Sequence, residues 1–478
     1  MISSPQGHEE HKVPQRNDLL VLGSLVLLAF ITYLPALGNF FIADDFVYLR
    51  QAKITSRHLS HLLHFEPGGG LFRITGHCYF LLGYKLFGLD PRGFYALGLV
   101  LHVVNSWLVC RLAARLTGRR EAGIAAGLFF AVYERHHEAV MWISAVQELL
   151  MALGALVCLL AWLRFSPAHG RPLRRAGWYA LALGAFVFAL FSKESALVVV
   201  PLLIGLDLHL HIGALQAALL RRRLLWYAPF LLAGVAHAAW VCAADSFVAH
   251  GFYAVGFHFF TVYPRSLNIL LLYVYPFMLA ALLLRLRPAT CHLSPATWFF
   301  LAWLLITPVP YCFVTYLDRI PSRQTYLPSV ATSALIGILG MYLWESVTAG
   351  RATKRQKTVL LALCLAMVAL NVAFVWNKNA QFVKRAAPIK LLLDTLREHR
   401  AAEQPGAKIY VVTDSPPYEL IARSAIGLWT PIDPSRLLFR KSSERLDLQP
   451  ADYLFHWDDK REKLIVRRTP EWDAEKRR

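Results

Sequence analysis

The chain has 478 residues, of which 56% are hydrophobic, and its mean hydropathy is +0.42. This composition is too apolar for a soluble two-domain protein and predicts a bundle of lipid-facing helices. The formal net charge is +19, and the basic residues lie in short clusters between apolar runs. The signals that orient membrane proteins are distributed in this way, so we expect no nucleic-acid partner. The seven cysteines show no metal-ligand or redox spacing, and no disulfide framework is expected.

Apolar runs long enough to cross roughly 30 Å of hydrocarbon as helices predict eleven transmembrane spans. The first run follows the polar residues 1–18 and lacks a small-residue cleavage site, so it is interpreted as an uncleaved span. The stretch 73–88 is shorter and contains charged residues, and we predict that it is a helix lying at the membrane interface. The predicted spans are 19–38, 94–116, 121–135, 143–164, 176–192, 195–212, 224–243, 265–284, 296–313, 326–345 and 358–376.

The distribution of basic residues predicts the orientation of the chain. With residues 1–18 in the cytoplasm, every inner loop carries a cluster of arginines or lysines, such as 221–223 (Arg-Arg-Arg), and the outer loops carry fewer. An odd number of spans then places the C-terminus outside. The composition, rich in Arg, Ala and Leu, favours a multi-pass protein of a bacterial inner membrane with a periplasmic C-terminus.

Polar residues become frequent from about residue 377 onward. The segments KIYVVTD, RLLFRK, ADYLFHW and KLIVRRT predict short strands, the last two forming a hairpin. The predicted fold class is therefore an all-α polytopic membrane protein with a small C-terminal α/β domain. The predicted units are a cytoplasmic segment 1–18, a transmembrane domain 19–400 with its first outer loop at 39–93, and an outer domain 401–478, which we expect to serve acceptor docking or regulation.

Two adjacent carboxylates, Asp44 and Asp45, follow the first span. A carboxylate at this position can act as a general base toward an acceptor hydroxyl, or can help to hold a divalent cation. Either residue can also be a simple cap of the next helix. The pair alone does not decide between these interpretations.

Ionisable residues also cluster where the third and fourth predicted spans meet, in the segment YERHHEAVMW and just after it. Such groups near a membrane are costly unless they pair or face water, so we expect them to line a polar cavity. A zinc site is disfavoured because the two adjacent histidines lack the i, i+4 spacing. The residues expected to line the cavity are His136, His137, Glu148, Glu194 and Tyr326.

Basic residues also occur at the outer ends of other predicted spans, namely Lys193, Arg319 and Arg323. A lipid-phosphate ligand requires cations at the depth of the headgroups, where arginine offers a two-point fork and lysine a point charge. Snorkelling, or local Lys193–Glu194 and Asp318–Arg319 pairs, would explain each residue taken alone. Their occurrence together on one face favours a phosphate site.

The order of these motifs resembles that of the GT-C superfamily of membrane glycosyltransferases. The motifs are the Asp pair, Phe72-Arg73 opening a helix that ends at Lys85-Leu-Phe-Gly88, and then HHEAVMWIS, SKESALVVVPLL and TYLPS. They are most similar to those of the protein O-mannosyltransferases, above all the transmembrane and tetratricopeptide-repeat kind, without the repeats. The likeness covers about residues 19–400, which would make this region the catalytic domain.

The resemblance implies that the enzyme takes a sugar from a polyprenyl phosphate at the outer membrane face and transfers it with inversion to a hydroxyl of a protein, lipid or glycan. Asp44 would be the catalytic base, with Asp45 beside it; independently of the resemblance, Glu138 is the next residue to examine if Asp44 is not the base. No metal is required, because side-chain cations can neutralise a departing monophosphate, although a magnesium or manganese site remains open. The implied phosphate-binding residues are Arg73, Lys193, Arg319 and Arg323.

Three departures from the family pattern leave the sugar and the acceptor open. Glu134-Arg135 stands where the family has His-Pro, Arg323-Gln324 stands where it has Arg-Tyr, and the small tail domain replaces the repeats. A transporter or flippase is one alternative, although the sequence has no inverted repeat or paired broken helices. A ligase for lipid-linked glycans and a structural membrane subunit are two others.

Overall fold

A computed structural model of the protein describes most of the chain outside its two ends and several loops. The residues described are 15–63, 73–165, 172–210, 217–243, 253–283, 294–315, 317–349, 354–398, 408–412, 419–432, 434–440, 453–458 and 463–468. Most of the predicted segment 1–18 therefore lies outside the described residues, as do parts of the first outer loop and of the tail domain.

Helices dominate the described residues. The first half of the chain contains α1 (Gln15–Tyr33), α2 (Asp45–Arg57), α3 (Ile74–Phe87), α4 (Pro91–Thr117), α5 (Arg120–Val132), α6 (His137–Met141), α7 (Val146–Phe165), α8 (Pro172–Leu190) and α9 (Val199–Leu210). The second half contains α10 (Ala217–Ala243), α11 (Phe259–Leu271), α12 (Tyr275–Leu283), α13 (Pro295–Ile306), α14 (Ser329–Ala349), α15 (Lys354–Glu398) and α16 (Glu419–Trp429). Short 3₁₀ turns at Glu134–His136, Ile143–Ala145, Glu194–Val198, Val309–Phe313 and Ser322–Thr325 join several of them.

Eight helices of the described chain are long and apolar enough to cross a membrane, and α11 with α12, bent by 60° at their junction, is a ninth if the pair forms one span. The other two predicted spans correspond to α5 and α9, which have only 13 and 12 residues. At about 1.5 Å per residue, each is less than the roughly 30 Å thickness of the hydrocarbon. Both adjoin 3₁₀ turns with ionisable residues, Glu134–His136 and Glu194–Val198, which overlap the predicted spans 121–135 and 195–212.

Small residues allow the central helices to approach closely. A β-carbon on Gly123 of α5 would lie 2.5 Å from the carbonyl oxygen of Cys110 on α4, and one on Gly154 of α7 would lie 2.7 Å from that of Ala185 on α8. In lipid, where apolar surface gains little from burial against another helix, close packing of this kind is a main source of helix association. A side chain at either glycine would separate the helices.

The tail contains the four predicted strands, β1 (Ile409–Val412), β2 (Leu437–Arg440), β3 (Tyr453–Asp458) and β4 (Lys463–Arg468). Their order in the sheet is β2-β1-β3-β4, with β1 parallel to β2 and β3, and with β3 and β4 pairing as an antiparallel hairpin. One face of the sheet and α16 share a core with α2, α3 and the first outer loop. The tail is therefore docked on the loop that carries the Asp pair.

Candidate functional site

A cavity of about 490 Å³ lies at the end of the bundle where α1 ends and α7 begins. Its wall combines residues from the first outer loop, the 3₁₀ turns and α10. Six of the predicted site residues line it, namely Asp44, Arg73, Glu148, Lys193, Glu194 and Arg323. The fold thus gathers carboxylates and cations from four distant parts of the chain.

Asp44 faces this cavity. It occupies the N-cap position of α2, but its side chain makes no capping hydrogen bond, so the structure does not favour the interpretation of Asp44 as a helix cap. The preceding residue, Ala43, has a φ of 47°, in the left-handed region that side chains seldom occupy. Burial raises the pKa of Asp44 above its usual value, and the positive charges of Arg323 and Arg73 partly oppose that rise.

Asp45 is fully buried behind the cavity wall. Its Oδ2 accepts a hydrogen bond from the backbone N–H of Ile42 at 2.9 Å, and its Oδ1 accepts one from the N–H of Ser144 at 2.7 Å and one from the Ser144 hydroxyl. Burial raises the pKa of Asp45 to about 7. With both oxygens occupied by the loop and by the turn before α7, Asp45 joins these two segments and does not reach the cavity.

Arg73 forms a two-point ion pair with Glu194, with Nε 3.0 Å from Oε1 and Nη2 3.1 Å from Oε2. Its Nη1 donates to the side-chain oxygen of Gln147, whose amide nitrogen donates to the Tyr48 hydroxyl. Glu194 therefore pairs with Arg73 from the start of α3, and not with its sequence neighbour Lys193. The chain of contacts connects the N-terminal turns of α2, α3 and α7.

Lys193 is buried and its ammonium donates to Glu148. The Tyr311 hydroxyl also donates to Glu148, at 3.2 Å, and lies 2.7 Å from the Ser195 hydroxyl. The Lys193 Nζ is 5.2 Å from the centre of the Tyr311 ring. Burial lowers the pKa of Lys193, and the negative charge of Glu148 opposes that effect.

Glu138 fixes Arg323 in place. Its Oε2 accepts the backbone N–H of Arg323 at 3.2 Å and lies 3.5 Å from Nη1 of the same residue, and its Oε1 lies 4.0 Å from Nη1 of Arg385 on α15. Burial opposes ionisation, but these cations and the backbone N–H hold the pKa of Glu138 below its usual value. The Arg323 guanidinium lies 5.0 Å from the Trp142 ring centre. Glu138 is not among the residues that line this cavity.

Besides Asp45 and Glu138, four predicted site residues lie outside the cavity wall. His136 is buried with Nε2 2.7 Å from the Ser329 hydroxyl, and Tyr326 is buried with its hydroxyl 2.7 Å from Nδ1 of His102. Contrary to the expectation, neither residue lines this cavity. His136 ends the 3₁₀ turn at Glu134–His136, Tyr326 follows the turn at Ser322–Thr325, and both side chains are buried in the helix packing.

The other two residues are His137 and Arg319. The His137 ring lies between the carbonyl oxygen of Glu134, at 2.7 Å, and the hydroxyl of Ser322, at 3.1 Å. Contrary to the expectation, His137 does not line this cavity. Arg319 is exposed and does not line the cavity, so the phosphate-binding role expected for it has no support in this geometry.

Several lining residues were not predicted, among them Tyr48, Tyr253, His237 and Tyr311. His237 interrupts an apolar run that becomes α10, and a titratable group in a predicted span is itself a signal of function. Tyr311 follows two prolines at the end of a predicted span. Among the residues that the structure describes, no group of three or more His, Cys, Asp or Glu side chains could hold a metal ion.

Sequence comparison finds no matching family model. The chain is 32% identical over 194 residues to the protein O-mannosyl-transferase Tmtc1 of Drosophila melanogaster, which is 38% of this chain and 22% of that protein. It is 31% identical over 188 residues to Tmtc2 of the same organism, 36% of this chain and 20% of that protein. The matched region thus spans about a fifth of the length of these relatives.

Solved structures match much more of the chain. ArnT from Cupriavidus metallidurans, bound to undecaprenyl phosphate, superposes with a TM-score of 0.52 at 12% identity, covering 94% of each chain. The oligosaccharyltransferase AglB from Archaeoglobus fulgidus, in complex with an inhibitory peptide and a dolichol-phosphate, gives 0.50 at 13% identity, covering 88% of this chain and 65% of AglB. The chain therefore shares the membrane fold of ArnT and AglB, in agreement with the fold class that its motifs predict.

Proposed function

We propose that this protein is a glycosyltransferase that moves a sugar from a polyprenyl-phosphate donor to a hydroxyl acceptor with inversion at the anomeric carbon. The observation that carries the proposal is the shared cavity, in which the carboxylate of Asp44 lies with the cationic groups of Arg73, Lys193 and Arg323. Both arginines act electrostatically on Asp44. A base and a set of cations are the two requirements of displacement at a sugar phosphate.

In the proposed reaction, Asp44 accepts the proton of the acceptor hydroxyl as the acceptor oxygen attacks the anomeric carbon. The bond between this carbon and the phosphate oxygen breaks, and the electron pair leaves with the polyprenyl phosphate. Positive charge develops on the sugar and negative charge on the departing oxygen in the transition state. Arg73, Lys193 and Arg323 stabilise the departing charge.

The ion pairs of the cavity leave donor groups available for a phosphate. Arginine has five N–H donors, and the hydrogen bonds described above for Arg73 use three of them, two with Glu194 and one with Gln147. Lys193 has three donors and uses one with Glu148. The carboxylates therefore orient the cations, and the remaining N–H groups can bind phosphate oxygens.

The apolar part of the cavity supports a lipid-linked donor. It is formed by Leu197, Ala238, Val241 and Val314, next to the cations that would bind the phosphate. A soluble sugar nucleotide would gain nothing from such a wall, whereas a polyprenyl chain would bury apolar surface there. The undecaprenyl phosphate bound in ArnT and the dolichol-phosphate bound in AglB are ligands of this chemistry.

The likeness to the protein O-mannosyl-transferases supports a hexose of the mannose type, carried to a hydroxyl of a protein, lipid or glycan. Membrane lipid surrounds the bundle, and the reaction takes place on the outer, periplasmic face of a bacterial inner membrane, with the tail domain on the same side. In this assignment, residues 19–400 form the catalytic domain and 401–478 the outer domain.

The test uses purified protein in lipid nanodiscs with radiolabelled polyprenyl-phosphate mannose, and with polyprenyl-phosphate glucose as a second donor. The wild type is expected to consume one donor and release polyprenyl phosphate, and the Asp44→Asn variant is expected to release far less. A flippase would move labelled donor across liposomes without consuming it. That result, with both donors intact, would overturn the proposal.

A further inference from the structure

The loop that presents Asp44 has a backbone conformation that its own sequence does not favour. Ala43 has a φ of 47°, and a residue with a β-carbon adopts this conformation only when its surroundings enforce it. Asp44 itself makes no capping hydrogen bond that would hold the start of α2. The position of the Asp44 carboxylate therefore depends on contacts made by its neighbours.

Asp45 provides the first of these contacts. Through Ile42 and Ser144 it ties the loop to the turn before α7 on the bundle side. This attachment holds one face of the loop, at the residue directly after Asp44.

The tail domain provides the second contact. Trp429, the last residue of α16, lies 5.6 Å from Phe41 and 5.6 Å from Phe46, measured between ring centres, and 5.7 Å from Phe40. The Lys53 ammonium on α2 donates to the carbonyl oxygen of Gly427 at 3.2 Å. Phe41 and Phe46 are fully buried, and they lie on the two sides of the strained segment.

We propose that Trp429 is a positioning residue that holds the loop of residues 40–46, so that the docked tail domain keeps the Asp44 carboxylate in its reactive place. The proposal rests on the proposed function, in which Asp44 is the base. It gives the tail a part in turnover in addition to the acceptor docking or regulation expected from the sequence. A displacement of about 1 Å at a catalytic group can cost on the order of 100-fold in rate.

The test compares Trp429→Ala with Trp429→Phe and with Leu420→Ala, which removes an exposed leucine of the same helix. Trp429→Ala should lower kcat roughly 10- to 100-fold and leave the donor KM within about 3-fold, because the phosphate-binding cations are untouched. Trp429→Phe should restore most of kcat, and Leu420→Ala should match the wild type. Trp429→Leu replaces the alanine variant if the latter does not fold.

Hydrogen exchange of the backbone amides of residues 40–48 is measured on the same proteins and does not depend on activity. These amides should exchange faster in Trp429→Ala and at the wild-type rate in Leu420→Ala. The role of Trp429 would be overturned by unchanged exchange or by an unchanged kcat in Trp429→Ala. It would also be overturned by a rise in the donor KM that accounts for the whole loss of kcat/KM. If the wild type consumes no donor, the proposed function fails, and the exchange measurement alone decides whether the tail supports the loop.

Discussion

Arg73 and Glu194, which are 121 positions apart in the sequence, form a two-point ion pair at the cavity wall with N–O distances of 3.0 and 3.1 Å. Both side chains are largely buried, with 20% and 24% of their surfaces exposed. Burial by itself would lower the pKa of Arg73, but the charge and hydrogen bonds of Glu194, together with smaller contributions from Tyr48 and Glu148, raise it above its usual value. The pair therefore keeps a charged guanidinium in a site with little water.

A phosphate that binds Arg73 competes with Glu194 for the same positive charge. Glu194→Gln should therefore strengthen binding of polyprenyl phosphate several-fold, whereas Arg73→Ala should weaken it on the order of 10-fold or more, since a charge-assisted contact is lost. Both affinities can be measured by titrating the lipid phosphate into protein in nanodiscs. Weaker binding in both variants would instead mean that Glu194 matters mainly by orienting Arg73.

Asp44→Asn should reduce kcat roughly 100- to 10,000-fold, because an amide cannot accept the proton of the attacking hydroxyl. The donor KM should change little, since the cations of the cavity remain. Steady-state kinetics with radiolabelled donor measure both quantities. Asp318→Asn is the matched control, because Asp318 is exposed and outside the cavity wall. Turnover by Asp44→Asn within a few-fold of the wild type would remove the base from the mechanism.

The pH dependence of kcat/KM should follow the ionisation of Asp44. Burial raises the pKa of Asp44, and the positive charge of Arg323 opposes the rise. Arg323→Met removes this opposition, so the pKa should increase further and the acid limb of the profile should move to higher pH. Arg319→Met, which removes an exposed arginine that does not line the cavity, should leave the limb in place. A limb that stays fixed in Arg323→Met would show that another group controls it.

Asp45→Asn should destabilise the protein more than Asp44→Asn does. The carboxylate of Asp45 accepts hydrogen bonds at both oxygens, whereas an amide places an N–H₂ group against at least one buried donor. Such a mismatch typically costs about 1–3 kcal/mol. Thermal unfolding in detergent should show a lower midpoint for Asp45→Asn, with Asp44→Asn close to the wild type. Equal midpoints would contradict the anchoring role of Asp45.

A phosphatase reporter fused after residue 400 should be active, and one fused after residue 175 should be silent, because the former lies outside and the latter in the cytoplasm under the predicted topology. The comparison depends on the short helices α5 and α9 each returning the chain to the other end of the bundle. The hydrogen bond from the Tyr33 hydroxyl at the end of α1 to the carbonyl oxygen of Tyr133, 3.1 Å, places the end of α5 beside that of α1. The opposite reporter pattern would reject the orientation.

The sequence predicted elements whose signals are local. The four tail strands match the predicted segments to within one residue at β3, because β-branched and aromatic runs between polar residues are sufficient to indicate them. Asp44 and Lys193 were predicted because an ionisable residue at the end of an apolar run is already unusual, and Arg73 was predicted from the family resemblance. These signals require no knowledge of how distant segments pack.

The partners of these residues could not be predicted. Lys193 pairs with Glu148 instead of the adjacent Glu194, because the choice depends on how α7 meets the turn before α9. The sequence also could not predict that Asp44 faces the cavity and Asp45 is buried. Successive residues of a helix are turned by about 100°, and nothing local indicates which one faces a cavity. Trp429 lies too far along the chain from the loop to be connected with it by spacing.

The length of α15 limits which changes its amino-acid sequence can accept. Its 45 residues extend about 67 Å at 1.5 Å per residue, and three side chains on it reach the loops near the cavity. Asn371 accepts the backbone N–H of Glu134 at 2.8 Å, Asn379 accepts the side-chain amide of Asn39 at 2.8 Å, and Arg385 approaches Glu138. One residue added between these positions would turn everything beyond it by about 100°. These three contacts therefore constrain the residue count of α15 between 371 and 385 more tightly than they constrain the choice among apolar side chains on its lipid-facing side.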